Sequence, residues 1–452
     1  MKRLLVANRG EIAVRIIRTA HEMGLETVLA ASEADRDGFA AELSDQVTVI
    51  GPAQAGQSYL DRAALIDAIG SSGADAVHPG YGFLSEDAEF ASSVVAAGAT
   101  WVGPNPAAIA LMGNKAAARQ AASDADVPVV VGSDGPIQPD DDVAAVADRI
   151  GYPILIKASA GGGGRGIRIV GDRKQLRDEI HLAVAEAGAA FGDSAVYLER
   201  FIARARHVEV QVLGDGSDVV HLFDRDCSLQ RRNQKIVEET PAPNLPAELR
   251  ERMLTSAVRL AQQCGYTGAG TVEFLYDPLR QEISFIEMNT RLQVEHPVTE
   301  MVTGIDLVRE QLRIADGAKL GYTQRDVTLR GHAIEMRINA ENPSLDFMPS
   351  PGAISALRWP GGPGVRVDSG VVSGSTVSPY YDSLVAKIVV WHVDRDSALS
   401  RARRALSELR VEGIDTTATY LQTVLEHPTV RAAAHHTTFL ADSATELLQG
   451  TA

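Results

Sequence analysis

The chain has 452 residues, 45% hydrophobic and 23% charged, the composition of a globular protein long enough for two or three domains and a large buried core. Its net charge of −16 excludes an extended nucleic-acid footprint and requires that the ligands of any anionic substrate be gathered locally. Two cysteines, Cys227 and Cys264, lie far apart in the chain; they exclude a disulfide framework and a cysteine-rich zinc site and are expected to be buried thiols in a reducing compartment.

Residues 4–7 read as a buried strand that breaks at Asn8-Arg9-Gly10-Glu11, too soon for the apolar core of a signal peptide. No segment approaches the ~18 apolar residues of a membrane span, so a cytoplasmic enzyme with no membrane partner is expected. An amphipathic helix follows over 11–23, stopped by Gly24, then strands over 27–31, 74–78 and 100–102. Strands alternating with helices predict a parallel, Rossmann-like sheet at the N-terminus. A G-x-G-x-x-G turn is missing after the first strand, which speaks against a nicotinamide cofactor. Polar, breaker-rich residues 133–142 form a surface loop or boundary. A small α+β unit then reads as helix 142–150, strand 153–157, a glycine loop, strand 166–170, helix 173–187 and strand 195–201. A larger mixed region runs onward, with a helix over 246–264 and a helical portion from 398.

Four glycines in a row, Gly161, Gly162, Gly163 and Gly164, can build neither a helix nor a core. Between two short strands their N–H groups suit phosphates, and Lys157 at the strand end is within reach of the same group. Lysine is scarce and arginine the bulk cation, so Lys115, Lys157 and Lys235, all in motif-like settings, stand out. In 207–211 polar and apolar residues alternate, placing His207, Glu209 and Gln211 on one strand face. Arg231, Arg232 and Lys235 are expected to form a dense cationic patch. Residues 270–276 and 283–289 read as two strands joined by a turn at Asp277-Pro278; an antiparallel hairpin puts Glu273 nearly opposite Glu287, a repulsion that a bridging cation relieves. Directly after it come Asn289, Arg291, Gln293, Glu295 and His296, in which arginine suits an oxyanion held at two points. His78-Pro79-Gly80-Tyr81 follows a parallel strand, either as a structural turn or at a ligand crevice. Arg337, on a strand of its own, is open to either reading.

These motifs, in their order, resemble the ATP-grasp family, and closely its biotin carboxylases: Asn8–Ala13, His78–Glu86, Leu111–Lys115, the glycine loop, Arg225–Ser228, Gln230–Arg232, Phe285–Pro297 and Tyr380–Ser383 all match. The resemblance covers nearly the whole chain. It implies α/β and α+β architecture in three parts: a Rossmann-like domain over 1–113, a linker helix and mobile lid over 114–202, and a C-terminal region over 203–452 holding the ATP-grasp and biotin carboxylase C-terminal domains. It further implies that Lys115, Lys157, Gly162, Gly163 and Gly164 hold ATP phosphates, that Ile167, Glu199, Arg200 and Ile202 hold adenine, and that His207, Gln230 and Asn233 lie near the nucleotide. Glu273, Glu287 and Asn289 would hold Mg²⁺ or Mn²⁺. Arg291, Gln293 and Val294, with Lys235 nearby, would bind bicarbonate. Glu295 would be the general base and Arg337 would stabilise the biotin enolate. Asn233 stands where the family often has histidine, which puts nucleotide affinity in question.

The resemblance also implies a biotin carboxyl carrier protein and a carboxyltransferase as partners, as in acetyl-CoA carboxylase, and a homodimer in which Arg15, Arg18 and Glu22 are contact positions, or else only a surface ion-pair face. These residues hold no Met-Lys-Met context for a biotinyl lysine. Two other readings stay open: another ATP-grasp ligase forming an acyl-phosphate, and a non-catalytic nucleotide-binding scaffold.

Overall fold

The computed structural model describes residues 1–133, 135–137, 142–158, 167–191 and 194–450. Its first unit is a five-stranded parallel sheet in the order Gln46–Gly51, Glu26–Ser32, Arg3–Val6, Ala76–His78, Thr100–Trp101. The central strands are apolar on both sides because both faces of the sheet are covered. Helix Gly10–Glu22 turns Ile12, Ala13, Ile16, Ile17 and Ala20 onto one of those faces. The strand Gln46–Gly51 was not expected; it is an edge strand whose residues are mostly half-exposed, so its apolar signal is weak.

The second unit is a three-stranded antiparallel sheet, Ile167–Val170, Ile154–Ala158, Val196–Arg200, covered by helices Val143–Ile150 and Leu176–Phe191 around a small core of its own. The second helix starts later than the expected residue 173 because Asp172 Oδ1 accepts the N–H groups of Lys174 and Gln175 and closes a turn there. Gly162, Gly163 and Gly164 lie outside the described residues, as does the side chain of Ile167.

The third unit is one eight-stranded sheet, antiparallel throughout, in the order Glu282–Asn289, Thr267–Asp277, Arg206–Asp215, Val219–Arg231, Gln234–Thr240, His332–Asn339, Leu384–His392, Val365–Ser369. Helix Ala247–Gln263 buries Met253, Leu254, Ala257 and Leu260 against it. Helix Arg395–Glu408 buries Ala398, Ala402 and Leu406 in a second core further along the same sheet. Among the described residues no helix is long and apolar enough to cross a membrane.

Candidate active site

The site is built on rungs of this sheet. Register aligns Glu287, Glu273, Glu209 and Arg225 across four adjacent strands. The next rung aligns Asn289, Thr271 and Gln211. Three carboxylates side by side repel one another, and the chain relieves that from one end. Arg225, fully buried, donates to Glu209 Oε1 at 2.7 Å and is fixed further by Gln211 Oε1 at 2.7 Å and Thr299 Oγ1 at 2.9 Å. Lys235 donates to Glu209 Oε2 at 2.6 Å, Glu295 Oε1 at 2.6 Å and Glu273 Oε1 at 3.1 Å. His207 Nε2 lies 3.2 Å from Glu273 and 3.4 Å from Glu209. Burial alone would lower the His207 imidazole, but Glu273 and Glu209 together outweigh it and the group is pushed up to about 9.

Glu287 closes the rung without such help. No side chain among the described residues pairs with it, and burial, together with Glu273 and Glu86, raises its carboxyl. A carboxylate with no direct ion-pair partner, beside a second carboxylate, makes a fitting pair of oxygen ligands for a hard cation. Asn289 lies alongside: its amide donates to Glu273 Oε1 at 2.9 Å and its oxygen accepts from Arg291 at 2.8 Å.

The loop after strand Glu282–Asn289 brings Arg291, Gln293, Val294 and Glu295 under the same face. Arg291 is oriented by Glu86 Oε2 at 2.7 Å, with Gln293 Oε1 at 3.2 Å. Gln293 donates to Glu273 Oε1 at 3.1 Å. The Val294 carbonyl accepts from the buried Lys387 Nζ at 2.8 Å. Glu295, with no exposed surface, is clasped on both oxygens, by Lys235 on one and by Arg337 Nη2 at 2.9 Å on the other. Burial pushes the Glu295 carboxyl up, but Lys235 first and Arg337 and Arg225 with it bring it below the usual carboxylate range. Arg337 also donates through Nε to Glu238 Oε1 at 2.6 Å.

Other expected residues fall around this centre. Lys157 and Glu199 face each other as an ion pair on the small sheet, with Arg119 3.8 Å from Glu199. Arg200 is engaged by Ile150 O and by Glu282, each at 3.0 Å. Ile202 is half-buried at the end of that strand. Lys115 is exposed at the start of helix Lys115–Asp124, and its charge acts on Glu287. Gln230 donates to Cys227 O at 2.8 Å.

Two expectations are corrected. The cationic patch does not exist as such: a register shift that skips Ile236 in the hairpin turns Lys235 inward, whereas Arg231 stacks over Phe347 and pairs with Glu341, and exposed Arg232 pairs with Asp346. Asn233 is exposed at φ +65° beside Arg232 at φ +50°, a hairpin turn that suits asparagine. Arg15 does not share an outer face with Arg18 and Glu22. Its guanidinium points inward to Glu300 at 2.9 Å and Asp306 at 2.7 Å, because the helix's apolar stripe carries that position toward the neighbouring unit. The His78 turn is held by its own neighbours: Asn8 Nδ2 donates to Pro79 O and Tyr81 O, and a Cβ on Gly80, at φ +63°, would meet that nitrogen at 2.8 Å. Glu86, Glu238, Arg225 and Lys387 received no role from sequence. For Glu86 and Arg225 their place inside matched motifs is a signal; for Glu238 and Lys387 only strand pairing supplies one.

A Rossmann-like unit, a small antiparallel unit and a larger antiparallel sheet with an acidic rung make up the architecture of an ATP-grasp enzyme. Residues 1–109 match the family model for the biotin carboxylase N-terminal domain, 114–323 that for the carbamoyl-phosphate synthase L chain ATP-binding domain, and 335–442 that for the biotin carboxylase C-terminal domain. The chain is 53% identical to the biotin carboxylase of Pseudomonas aeruginosa over 96% of its length and 95% of the relative's. It is 50% identical to biotin carboxylase 1 of Bacillus subtilis (strain 168) over 97% and 98%. Its structure resembles the biotin carboxylase domain dimer of the Hydrogenobacter thermophilus 2-oxoglutarate carboxylase, solved with MgADP, ADP and bicarbonate, at a TM-score of 0.89 and 43% identity over 99% and 98% of the two chains. The chain belongs to the biotin carboxylase family.

Proposed function

We infer that this chain uses ATP and bicarbonate to carboxylate biotin, the first half-reaction of an acetyl-CoA, pyruvate or related carboxylase. The observation that carries the assignment of roles is the Glu295 carboxylate, dry and clasped between Lys235 and Arg337, one loop away from Arg291. Arg291, Gln293 and the Val294 backbone hold bicarbonate. Glu295 takes its proton, and the bicarbonate oxygen attacks the γ-phosphorus of ATP while the bond to the bridging oxygen breaks and ADP leaves. Lys115 and Lys157 hold phosphate oxygens, and the stretch Glu199, Arg200, Ile202 faces adenine. Glu273 and Glu287, with Asn289, would hold Mg²⁺ or Mn²⁺, which supplies positive charge against the terminal phosphates. Carboxyphosphate splits to CO₂ and phosphate; phosphate takes the ureido N–H proton of biotin, and Arg337 stabilises the enolate that captures CO₂.

The units divide as 1–113, 114–202 and 203–452. The biotin is borne by a carrier protein or domain, a carboxyltransferase consumes the carboxybiotin, the chain works as a homodimer, and its place is the cytoplasm. The test is bicarbonate-dependent phosphate release from MgATP with and without free biotin. Strong stimulation by biotin, reduced on the order of 10²–10³-fold in Glu295→Gln, is the expected result. Turnover indifferent to biotin would replace this reading with another acyl-phosphate-forming ligase.

A further inference from the structure

Arg337 has two carboxylate partners, and only one of them belongs to the reaction derived above. Its Nη2 lies 2.9 Å from Glu295 Oε2 and 2.6 Å from Glu238 Oε1, and its Nε also donates to Glu238 Oε1 at 2.6 Å. Glu238 is on strand Gln234–Thr240, fully buried, and its Oε2 has no hydrogen-bond partner. Directly across in register is Glu335, on the strand that carries Arg337, also fully buried, with neither oxygen partnered. Two opposed interior carboxyls, one held by Arg337 through a single oxygen and the other with no hydrogen-bond partner, do not both stay ionised; one keeps a proton. The charged groups facing them are Arg337, Glu295 and Lys235 on the Glu238 side and Lys387, on strand Leu384–His392, on the Glu335 side; the Cys227 thiol completes the surroundings. Burial, with Glu295 adding to it and Arg337 opposing, pushes Glu238 up to about 7, and burial holds Glu335 well above the carboxylate range.

We propose that Glu238 is the positioning residue for Arg337: it anchors the guanidinium when Glu295 takes the bicarbonate proton and lets go of it. The argument rests on charge and geometry. In the resting site one guanidinium is shared by two carboxylates, so neither holds it at full strength. Once Glu295 is neutral its hold on Arg337 weakens, and an arginine with no second partner would swing or become hydrated. Glu238 keeps its hold on Nε and Nη2, which fixes the guanidinium while the bond from Nη2 to Glu295 gives way to the developing enolate oxygen. Glu335 stays neutral behind it, so the pair carries one negative charge and not two. Glu238 touches no substrate in this scheme; it acts through Arg337.

The proposal rests on the biotin carboxylase reading, and the two fail separately: biotin-stimulated phosphate release by the unaltered chain tests the reading, and the variants are compared only against that rate. The experiment measures kcat, the KM for ATP, bicarbonate and free biotin, and the pH profile of kcat in Glu238→Gln and Glu238→Asp. Without the Glu238 charge Arg337 falls wholly to Glu295, which becomes a weaker base. The expected result for Glu238→Gln is a loss in kcat on the order of 10²-fold, an ATP KM within about threefold of the original, and an acid limb of the pH profile moved to lower pH. Glu238→Asp restores part of kcat and returns the acid limb. Unchanged kcat and an unmoved profile in Glu238→Gln would overturn the proposal. So would loss of ATP affinity in both variants, which would make Glu238 a scaffold residue.

Discussion

Lys235 is where the charge balance of the site is decided. One ammonium answers three buried carboxylates, Glu209, Glu273 and Glu295, and its own pKa is held well above the ordinary value: burial lowers it, but the three carboxylates outweigh burial. In Lys235→Met, burial of Glu295 is opposed only by the arginines, so the carboxyl rises from below its ordinary 4.5 toward neutrality. The base is then protonated over part of the working range. The acid limb of the kcat profile moves to higher pH, the opposite direction from Glu238→Gln, with kcat lowered on the order of 10²–10³-fold at neutral pH; a pH–rate series on the two variants side by side checks this. At this scale the sequence singled out the candidate residues, since glutamates, an amide and an arginine crowd one short stretch. It did not show that Lys235 faces away from Arg231 and Arg232, because a turn with two residues at positive φ sets which way each side chain goes.

Adjacent residues in a strand face opposite sides, and the pair Glu238–Glu239 shows the consequence at the scale of elements. Glu238 turns to the site. Glu239 turns the other way, to His332 Nε2 at 2.7 Å and to Arg395 of helix Arg395–Glu408, whose Nη groups also donate to the carbonyls of Val430 at 2.8 Å and Arg431 at 2.7 Å. Burial raises the Glu239 carboxyl, but His332 and Arg395 bring it down to about 2. A carboxyl depressed on folding contributes stability above its unfolded value near 4.5, and that contribution is lost as the pH falls through about 2. Arg395→Ala leaves this carboxylate buried with one partner fewer. The expected cost is about 3–5 kcal/mol of stability, read by denaturant unfolding at pH 7 and shrinking as the pH approaches 2, with the affinity for MgATP unchanged because the contact lies away from the acidic rung. Helices Gly10–Glu22, Val143–Ile150, Leu176–Phe191 and Ala247–Gln263 and the hairpin holding Glu273 and Glu287 were legible from local pattern. The edge strand Gln46–Gly51 was not, because exposure blurs its alternation.

Across the whole molecule, the centre draws its groups from several parts of the chain. Glu86 comes from the N-terminal unit to Arg291. Lys387, 93 residues beyond Val294, holds that carbonyl and lies 3.1 Å from Glu11 of the first helix. Nucleotide binding to such a site stabilises the folded state as a whole: at a ligand concentration about 100 times Kd the gain is about 2.7 kcal/mol, seen as a rise in Tm with MgATP that is much smaller in Glu287→Gln. The sequence by itself determined the alternating N-terminal unit, the small α+β unit and the facing glutamates of the hairpin, because apolar periodicity, glycine runs and clustered carboxylates are local patterns that survive without neighbours, while the three-part architecture and the candidate roles of the side chains followed from the resemblance of its motifs. Tertiary structure alone decided that Glu287, Glu273, Glu209 and Arg225 share a rung, that Arg15 faces inward, and that Arg337 is divided between Glu238 and Glu295. The rung and the divided Arg337 depend on strand order and register, in which one residue of slip sends a side chain to the other face; Arg15 depends on what packs against its helix.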